Sequence, residues 1–138
     1  MSDFIFQCKP TRYDLSKLQA TPDRTEHWQA TRYRRDMTPD DSVFFYMSGG
    51  NAGIYGCGRI VGPPDDQKES VPVKWSYLYP SIITRAELQA FLSENLLFTV
   101  RVGTNFLLSP TESQALRQLA KSKGFPVPKG GGKDGEQS

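Results

Sequence analysis

Histidine and cysteine are scarce in this chain, with one His and two Cys in 138 residues. Structural metal sites need such donors in clusters at close spacing, such as Cys-x-x-Cys, and none is present. Cys8 and Cys57 each sit in an apolar stretch, where a buried free thiol in a reducing compartment is the expected state. Also missing are the Gly-x-Ser-x-Gly turn of serine hydrolases, a phosphate-binding P-loop and a dinucleotide fingerprint. Gly56-Cys57-Gly58 falls within a strand pattern, which is the wrong context for a nucleotide loop. His27 with either cysteine is all that remains for nucleophilic catalysis, and no orienting partner is visible for it. No apolar run reaches the length of a membrane span, and Met1-Ser2-Asp3 lacks the basic-then-apolar order of a secretory signal. These absences set the expectation of a cytoplasmic binding domain with no catalytic residues, no cofactor, no metal and no membrane partner.

The distribution of charge says more than its sum. A net charge of +2 neither requires nor excludes a polyanionic partner. Arg12, Arg24, Arg32, Arg34 and Arg35 crowd the first quarter, whereas Asp65, Asp66 and Glu69 share one later loop. Arginine gathered on one face is the footprint of phosphate contact, and it is equally the pattern of a solvated face.

Strand signals dominate the chain. Asp3 to Cys8 is rich in aromatic and branched residues and reads as a strand stopped by Lys9-Pro10. A brief helix capped by Asp14 is expected through Leu18, and another over His27 to Tyr33. Ser42 to Ser48 is nearly all apolar, as a central strand covered on both faces would be. Gly49-Gly50-Asn51 turns the chain into a second strand, Ala52 to Val61, completing a hairpin. Gly53, Gly56 and Gly58 within it point to bulges, or to something that approaches the backbone closely. Val71, Val73, Trp75 and Tyr77 alternate on one face of a half-buried strand that Pro72 places toward an edge.

The later elements carry stronger punctuation. Thr84-Arg85-Ala86-Glu87 and Ser109-Pro110-Thr111-Glu112 are capping boxes. The first opens a helix to about Leu92, the second a helix ending near Gly124. Leu96 to Arg101 and Phe106 to Leu108 are expected as two more strands. The fold class is therefore α+β: five or six mostly antiparallel strands with short helices inserted, of the size that curls into a small barrel. The domain is expected over residues 1–125, and residues 126–138 as a flexible, Gly-rich tail or linker to a fused domain.

Aromatic residues supply the chemical lead. They form 12% of the chain, and several adjoin arginine, as in Arg12-Tyr13 and Arg32-Tyr33-Arg34-Arg35. Bases stack on aromatic faces while guanidinium groups engage phosphates. A base drawn out of its helix needs an aromatic wall and a polar group for its edge. Trp28 or Tyr33 fits the first need, and Asp14 or the backbone around Cys8 the second. Trp28, Tyr46 and Trp75 also fit a plain core role.

The order of these motifs resembles that of EVE domains. The resemblance rests on Phe4 to Asp14, similar to a strand followed by Asn-Pro-x-Arg-Tyr-Asp, and on Trp28-Gln29-Ala30-Thr31-Arg32-Tyr33. It continues through Pro39 to Gly49, Gly53 to Ile60, Gly103-Thr104-Asn105-Phe106 and Glu112. It implies a PUA-like barrel related to the YTH domains that read methylated adenine in RNA. EVE domains of this type occur fused to restriction nucleases and phage-defence proteins, where they recognise 5-methylcytosine, 5-hydroxymethylcytosine or 6-methyladenine in double-stranded DNA by base flipping.

Carried over by position, the resemblance makes Trp28 a wall of the base pocket. Phe6, Cys8 and Lys9 lie on the strand end beside it, Asp14 near the base edge, and Ser48 and Gly49 on the far side. Tyr33, Tyr46 and Trp75 compete as the second aromatic wall, and Arg12, Arg32, Arg34 and Arg35 are the expected phosphate contacts. Two positions depart from the pattern: Lys9 replaces an asparagine, which removes an acceptor, and Asp40 replaces a turn glycine. An RNA-binding PUA-like module acting on tRNA or modified RNA is the alternative, and a small nucleobase enzyme using Asp14 the third reading.

Overall fold

The computed structural model describes residues 2–15, 24–93, 95–99 and 103–128. Its first strand, β1 (Asp3–Cys8), is the one the aromatic and branched residues foretell. It lies parallel to β3 (Ser42–Met47) and antiparallel to β6 (Asn105–Leu107). The remaining strands are β2 (Thr25–Gln29), β4 (Gly53–Ile60) and β5 (Ser70–Thr84), and the single sheet runs β2-β5-β4-β3-β1-β6. The helices are α1 (Arg85–Leu92), α2 (Leu96–Thr99) and α3 (Pro110–Ser122), with a 3-10 turn over Arg34–Asp36. This is the expected PUA-like α+β architecture, a six-stranded sheet curled into a half-barrel.

Alternation along the strands divides the core in two. Phe4, Phe6, Val43, Phe45, Met47, Val71, Val73 and Trp75 share one cluster, the concave side of the curl. Ile5, Phe44, Tyr46, Ile54 and Cys57 belong to the other, with Leu88, Leu92, Leu116 and Ala120 of α1 and α3. All six residues of β3 are buried, so its unbroken apolar run reports a strand covered on both faces. Tyr46 lies in the helix-side cluster, which makes it a core residue.

Glycine lets β4 and β5 approach. A Cβ on Gly58 would fall 1.9 Å from the Lys74 carbonyl oxygen, and one on Gly56 2.3 Å from that of Tyr77. Register shifts, the expected bulges, occur between Ile54 and Gly56 and between Cys57 and Gly58. Both capping boxes form: Thr84 with Glu87 and Ser109 with Glu112. Gly124, at φ 78°, follows α3, and Phe125 N–H returns to the Ala120 carbonyl at 2.9 Å, closing the helix as a C-terminal glycine allows.

Three expectations need correction. The segment from His27 is a strand: Trp28 and Ala30 point inward, Thr25, His27 and Gln29 outward, and Thr25 through Gln29 pair with Lys74 through Ser70. A partner strand more than forty residues away overrides the local helical appearance. Leu96–Thr99 is helical because Asn95 caps it, its Oδ1 accepting Leu97 N–H at 3.0 Å; residues 100–102 lie outside the described residues. Pro72 does not mark an edge, since β5 runs between β2 and β4. Its carbonyl accepts Val61 N–H, one residue beyond β4, so the missing N–H falls where that ladder ends. The helix expected from Asp14 lies mostly outside the described residues.

Beyond α3 the chain stays against the sheet as far as Pro128. Phe125 stacks on Tyr79 with ring centroids 4.7 Å apart. The Tyr79 hydroxyl donates to the Pro126 carbonyl at 2.8 Å, and the Arg117 guanidinium donates to that of Pro128.

Candidate nucleic-acid interface

The curl brings the two edges of the sheet toward each other. Trp28 of edge strand β2 packs on Phe6 of β1 and Phe45 of β3, at ring centroid distances of 6.2 and 5.1 Å. Fully buried Asn105 clasps the seam: its Nδ2 donates to the Gln29 carbonyl at 2.9 Å, and its Oδ1 accepts Thr31 N–H at 2.9 Å. A half-open cavity of about 630 Å³ lies along this seam, lined by the end of β1, the turn after it, β2 and the turn at Gly103-Thr104. That volume is in the range of small-molecule sites.

Glu26 organises the cavity floor. Its Oε1 accepts the indole N–H of both Trp28 and Trp75, each at 3.0 Å, and its Oε2 accepts the Tyr13 hydroxyl and the Arg24 guanidinium. Burial pushes the carboxyl pKa up, but the bonds from Tyr13, Trp28, Trp75 and Arg24 outweigh it and hold it below its ordinary value. The Tyr13 pKa rises for the complementary reasons, burial first and then its bond to Glu26. Behind the floor Trp75 stacks on Phe45, centroids 4.0 Å apart. The result is an ionised carboxylate whose acceptors are all occupied, holding three aromatic side chains in fixed orientation.

Cys8 and His27, distant in sequence, meet on this cavity. The thiol is not activated: burial, with Asp14 and Glu26 adding to it, pushes its pKa up to about 12, and its Sγ–H donates to the Tyr13 carbonyl at 3.3 Å. A nucleophilic cysteine needs the opposite environment. Cys57 belongs to the helix-side cluster. Among the described residues, no group of three or more His, Cys, Asp or Glu is placed to hold a metal ion, and no helix is long and apolar enough to cross a membrane.

The family model described as EVE domain matches residues 2–128. The chain belongs to the EVE domain family. Among solved structures, this EVE domain superposes on a protein of Agrobacterium tumefaciens with a TM-score of 0.74 at 18% identity, covering 94% of this chain and 99% of that one. It superposes on human THYN1, solved in complex with DNA containing 5-methylcytosine, with a TM-score of 0.69 at 20% identity, covering 86% and 97%. A Rhodopseudomonas palustris protein gives 0.71 at 17% identity, covering 88% and 94%. No curated protein sequence matches significantly.

Of the residues expected at the site, Trp28, Cys8, Lys9 and Arg12 of this EVE domain line the cavity. Phe6 is fully buried beneath Trp28. Trp75 supports the floor through Glu26 without lining it. Asp14 stands near enough to Cys8 to act on its charge but is outside the lining. Tyr33 packs on Phe4 at 6.3 Å, while Ser48 N–H donates to the Cys8 carbonyl and Gly49 faces Pro10, so these three are not brought to the cavity.

The arginines diverge. Arg32 approaches the turn at Gly103, and Arg35 is exposed. Arg34 donates to the Ala30 carbonyl at 2.7 Å and pairs with Asp66 at 2.8 Å, so its guanidinium is already engaged. Gln7, Tyr13, Glu26, His27, Gln29, Gly103 and Thr104 are lining residues that sequence reasoning did not assign to the site. Tyr13 had a signal in its neighbour Arg12, and Gly103-Thr104 in the EVE-like motif. Glu26 had none.

Proposed function

We propose that this EVE domain binds double-stranded DNA and holds one modified base, drawn out of the duplex, in the cavity between β1, β2 and the Gly103-Thr104 turn. The observation that carries the proposal is the cavity itself: a half-open space at the sheet seam with room for one base, with Tyr13 and the largely buried Trp28 fixed on Glu26 and with Lys9 and Arg12 among its lining. An aromatic surface of fixed orientation suits a base face, and cationic lining residues suit the phosphates flanking an extruded nucleotide. The human neighbour solved with 5-methylcytosine-containing DNA supports a modified cytosine as ligand. 5-Hydroxymethylcytosine and 6-methyladenine present the same kinds of edge. On this reading the domain supplies recognition, and cleavage or translocation comes from a restriction nuclease or motor acting with it.

Titration of otherwise identical duplexes tests the proposal. They carry cytosine, 5-methylcytosine, 5-hydroxymethylcytosine, adenine or 6-methyladenine at one position, with a matched RNA, all at one salt concentration. One modified duplex is expected to bind at least about four-fold tighter than its unmodified parent, the worth of burying one methyl group at about 0.8 kcal/mol. Equal affinity for every duplex leaves only the phosphate contribution and overturns the proposal. Tighter binding of the RNA replaces it with an RNA-binding role.

A further inference from the structure

Thymine carries a 5-methyl group just as 5-methylcytosine does. The two differ at C4, where cytosine presents an amino donor and thymine a carbonyl acceptor. A cavity that sensed only the methyl group would take thymine as well. The same logic separates amino purines from those bearing a carbonyl. At N3 cytosine presents an acceptor and thymine an N–H donor, so a donor there also discriminates. The amino group itself is read only by a fixed acceptor facing the cavity, and the polar lining narrows the choice of that acceptor.

Lys9 and Arg12 have only donors and cannot accept from an amino group, and the Tyr13 and Thr104 hydroxyls donate to Glu26 and to Asn105 Oδ1. Glu26 already accepts four hydrogen bonds. Gln29 is exposed, and neither end of its amide is bonded among the described residues. Gln7 differs from all of these. Its backbone N–H donates to the Thr104 carbonyl at 2.7 Å, and its Nε2 donates to the Gly103 carbonyl at 2.8 Å. A carbonyl oxygen can only accept, so the bond to Gly103 fixes which end of the amide is nitrogen. The other end is Oε1, an acceptor with no hydrogen-bond donor among the described residues. Gln7, Gly103 and Thr104 all line the cavity. Gly103 holds φ 148°, and a Cβ there would meet the Phe106 ring at 3.0 Å, so the turn that orients Gln7 is itself constrained.

We propose that the Gln7 side-chain oxygen reads the exocyclic amino group of the bound base, so that the cavity takes cytosine- or adenine-type bases and rejects thymine. This specificity role rests on the base-reading proposal above. It makes Gln7, and not the pocket carboxylate, the residue that decides which base class enters.

The test pairs a change in the protein with a change in the base. The full chain and its Gln7→Met variant are titrated with duplexes carrying 5-methylcytosine or 5-methylpyrimidin-2-one, which lacks only the amino group, at one position opposite an abasic site, where the loss of the amino group weakens no base pair. Where 6-methyladenine is the preferred ligand, it and 6-ethylpurine, in which CH2 replaces the N–H and the methyl group is kept, replace the pair, again opposite an abasic site. The native protein is expected to bind the amino base about ten-fold tighter than the base lacking the N–H donor, the effect of leaving unmatched an acceptor that the bound base covers. In Gln7→Met that ratio is expected to fall to about one, the signature of two groups that touch each other.

A ratio that stays near ten in the variant overturns the role of Gln7. So does equal binding of both bases by the native protein when it still prefers methylated over plain cytosine, and this arm decides even if the variant does not fold. Equal binding of methylated and unmodified duplexes by the native protein overturns the base-reading proposal and this one together.

Discussion

Four side chains converge on Glu26 from positions 13, 24, 28 and 75, so its removal reaches further than one contact. Glu26→Gln keeps the shape but places an N–H₂ group where Oε1 or Oε2 accepted. Hydrogen bonds to a charged group are each worth about 1.5–3 kcal/mol, and the variant is expected to lose stability of that order in urea titrations at pH 7. The effect depends on acidity with a definite sign. The Glu26 pKa is lowered from 4.5 in the folded state, so the unfolded chain takes up the proton first as the solution is acidified. The stabilisation is complete above about pH 5 and drains away as pH falls through the folded pKa. The gap between the native protein and Glu26→Gln should therefore narrow as pH falls below about 4.5, and a gap that does not narrow on acidification contradicts this role. Trp28 was legible in the sequence because it stands in a motif shared with EVE domains. Glu26 was not, because no spacing along the chain relates its four donors.

Elements were legible where their signals are local. The two capping boxes and the all-apolar β3 each lie within a few consecutive residues, and each formed as read. The strand β2 was misread because its identity resides in β5, more than forty residues on: only the pairing of Thr25–Gln29 with Ser70–Lys74 makes its alternation meaningful. The glycines of β4 fall between these cases. Their presence signalled a close approach, but only the fold shows that the approaching group is the backbone of β5. This gives a prediction at the scale of the element. Gly58→Ala would set a methyl group against the Lys74 carbonyl, and neither strand can yield without losing pairs in the middle of the sheet. We expect a loss of about 3 kcal/mol or more, at the upper end of overpacking effects, visible as a lowered midpoint in thermal unfolding. A Gly50→Ala control, where a Cβ meets nothing within 4 Å, should leave that midpoint nearly unchanged.

At the scale of the whole molecule, the curl of one sheet does two things at once. It buries a core on each face, and it leaves a seam where edge strand β2 meets β1 and the Gly103-Thr104 turn. The cavity and the cationic side chains that flank it are products of that seam, which is why the arginines of the first quarter do not act as a block. Arg12 lines the cavity, whereas Arg34 is turned onto the Ala30 carbonyl and Asp66. A phosphate that reached Arg34 would have to displace an aspartate already neutralising it; one that reached Arg12 displaces no ion-pair partner among the described residues. Salt dependence separates the two, because each phosphate neutralised contributes about 0.9 to the slope of log K against log salt on duplex DNA. Arg12→Ala is expected to make that slope shallower by about one and to weaken modified and unmodified duplexes alike. Arg34→Ala should leave the slope unchanged. Its pair with Asp66, whose carboxylate is exposed, contributes little to stability and its bond to the Ala30 carbonyl about 1–3 kcal/mol, so circular dichroism of both variants accompanies the binding assay. A shallower slope in Arg34→Ala together with an unchanged one in Arg12→Ala would place the phosphate track beside Ala30 and Asp66 and not on the cavity lining, and would contradict DNA contact through the Arg12 side of the cavity.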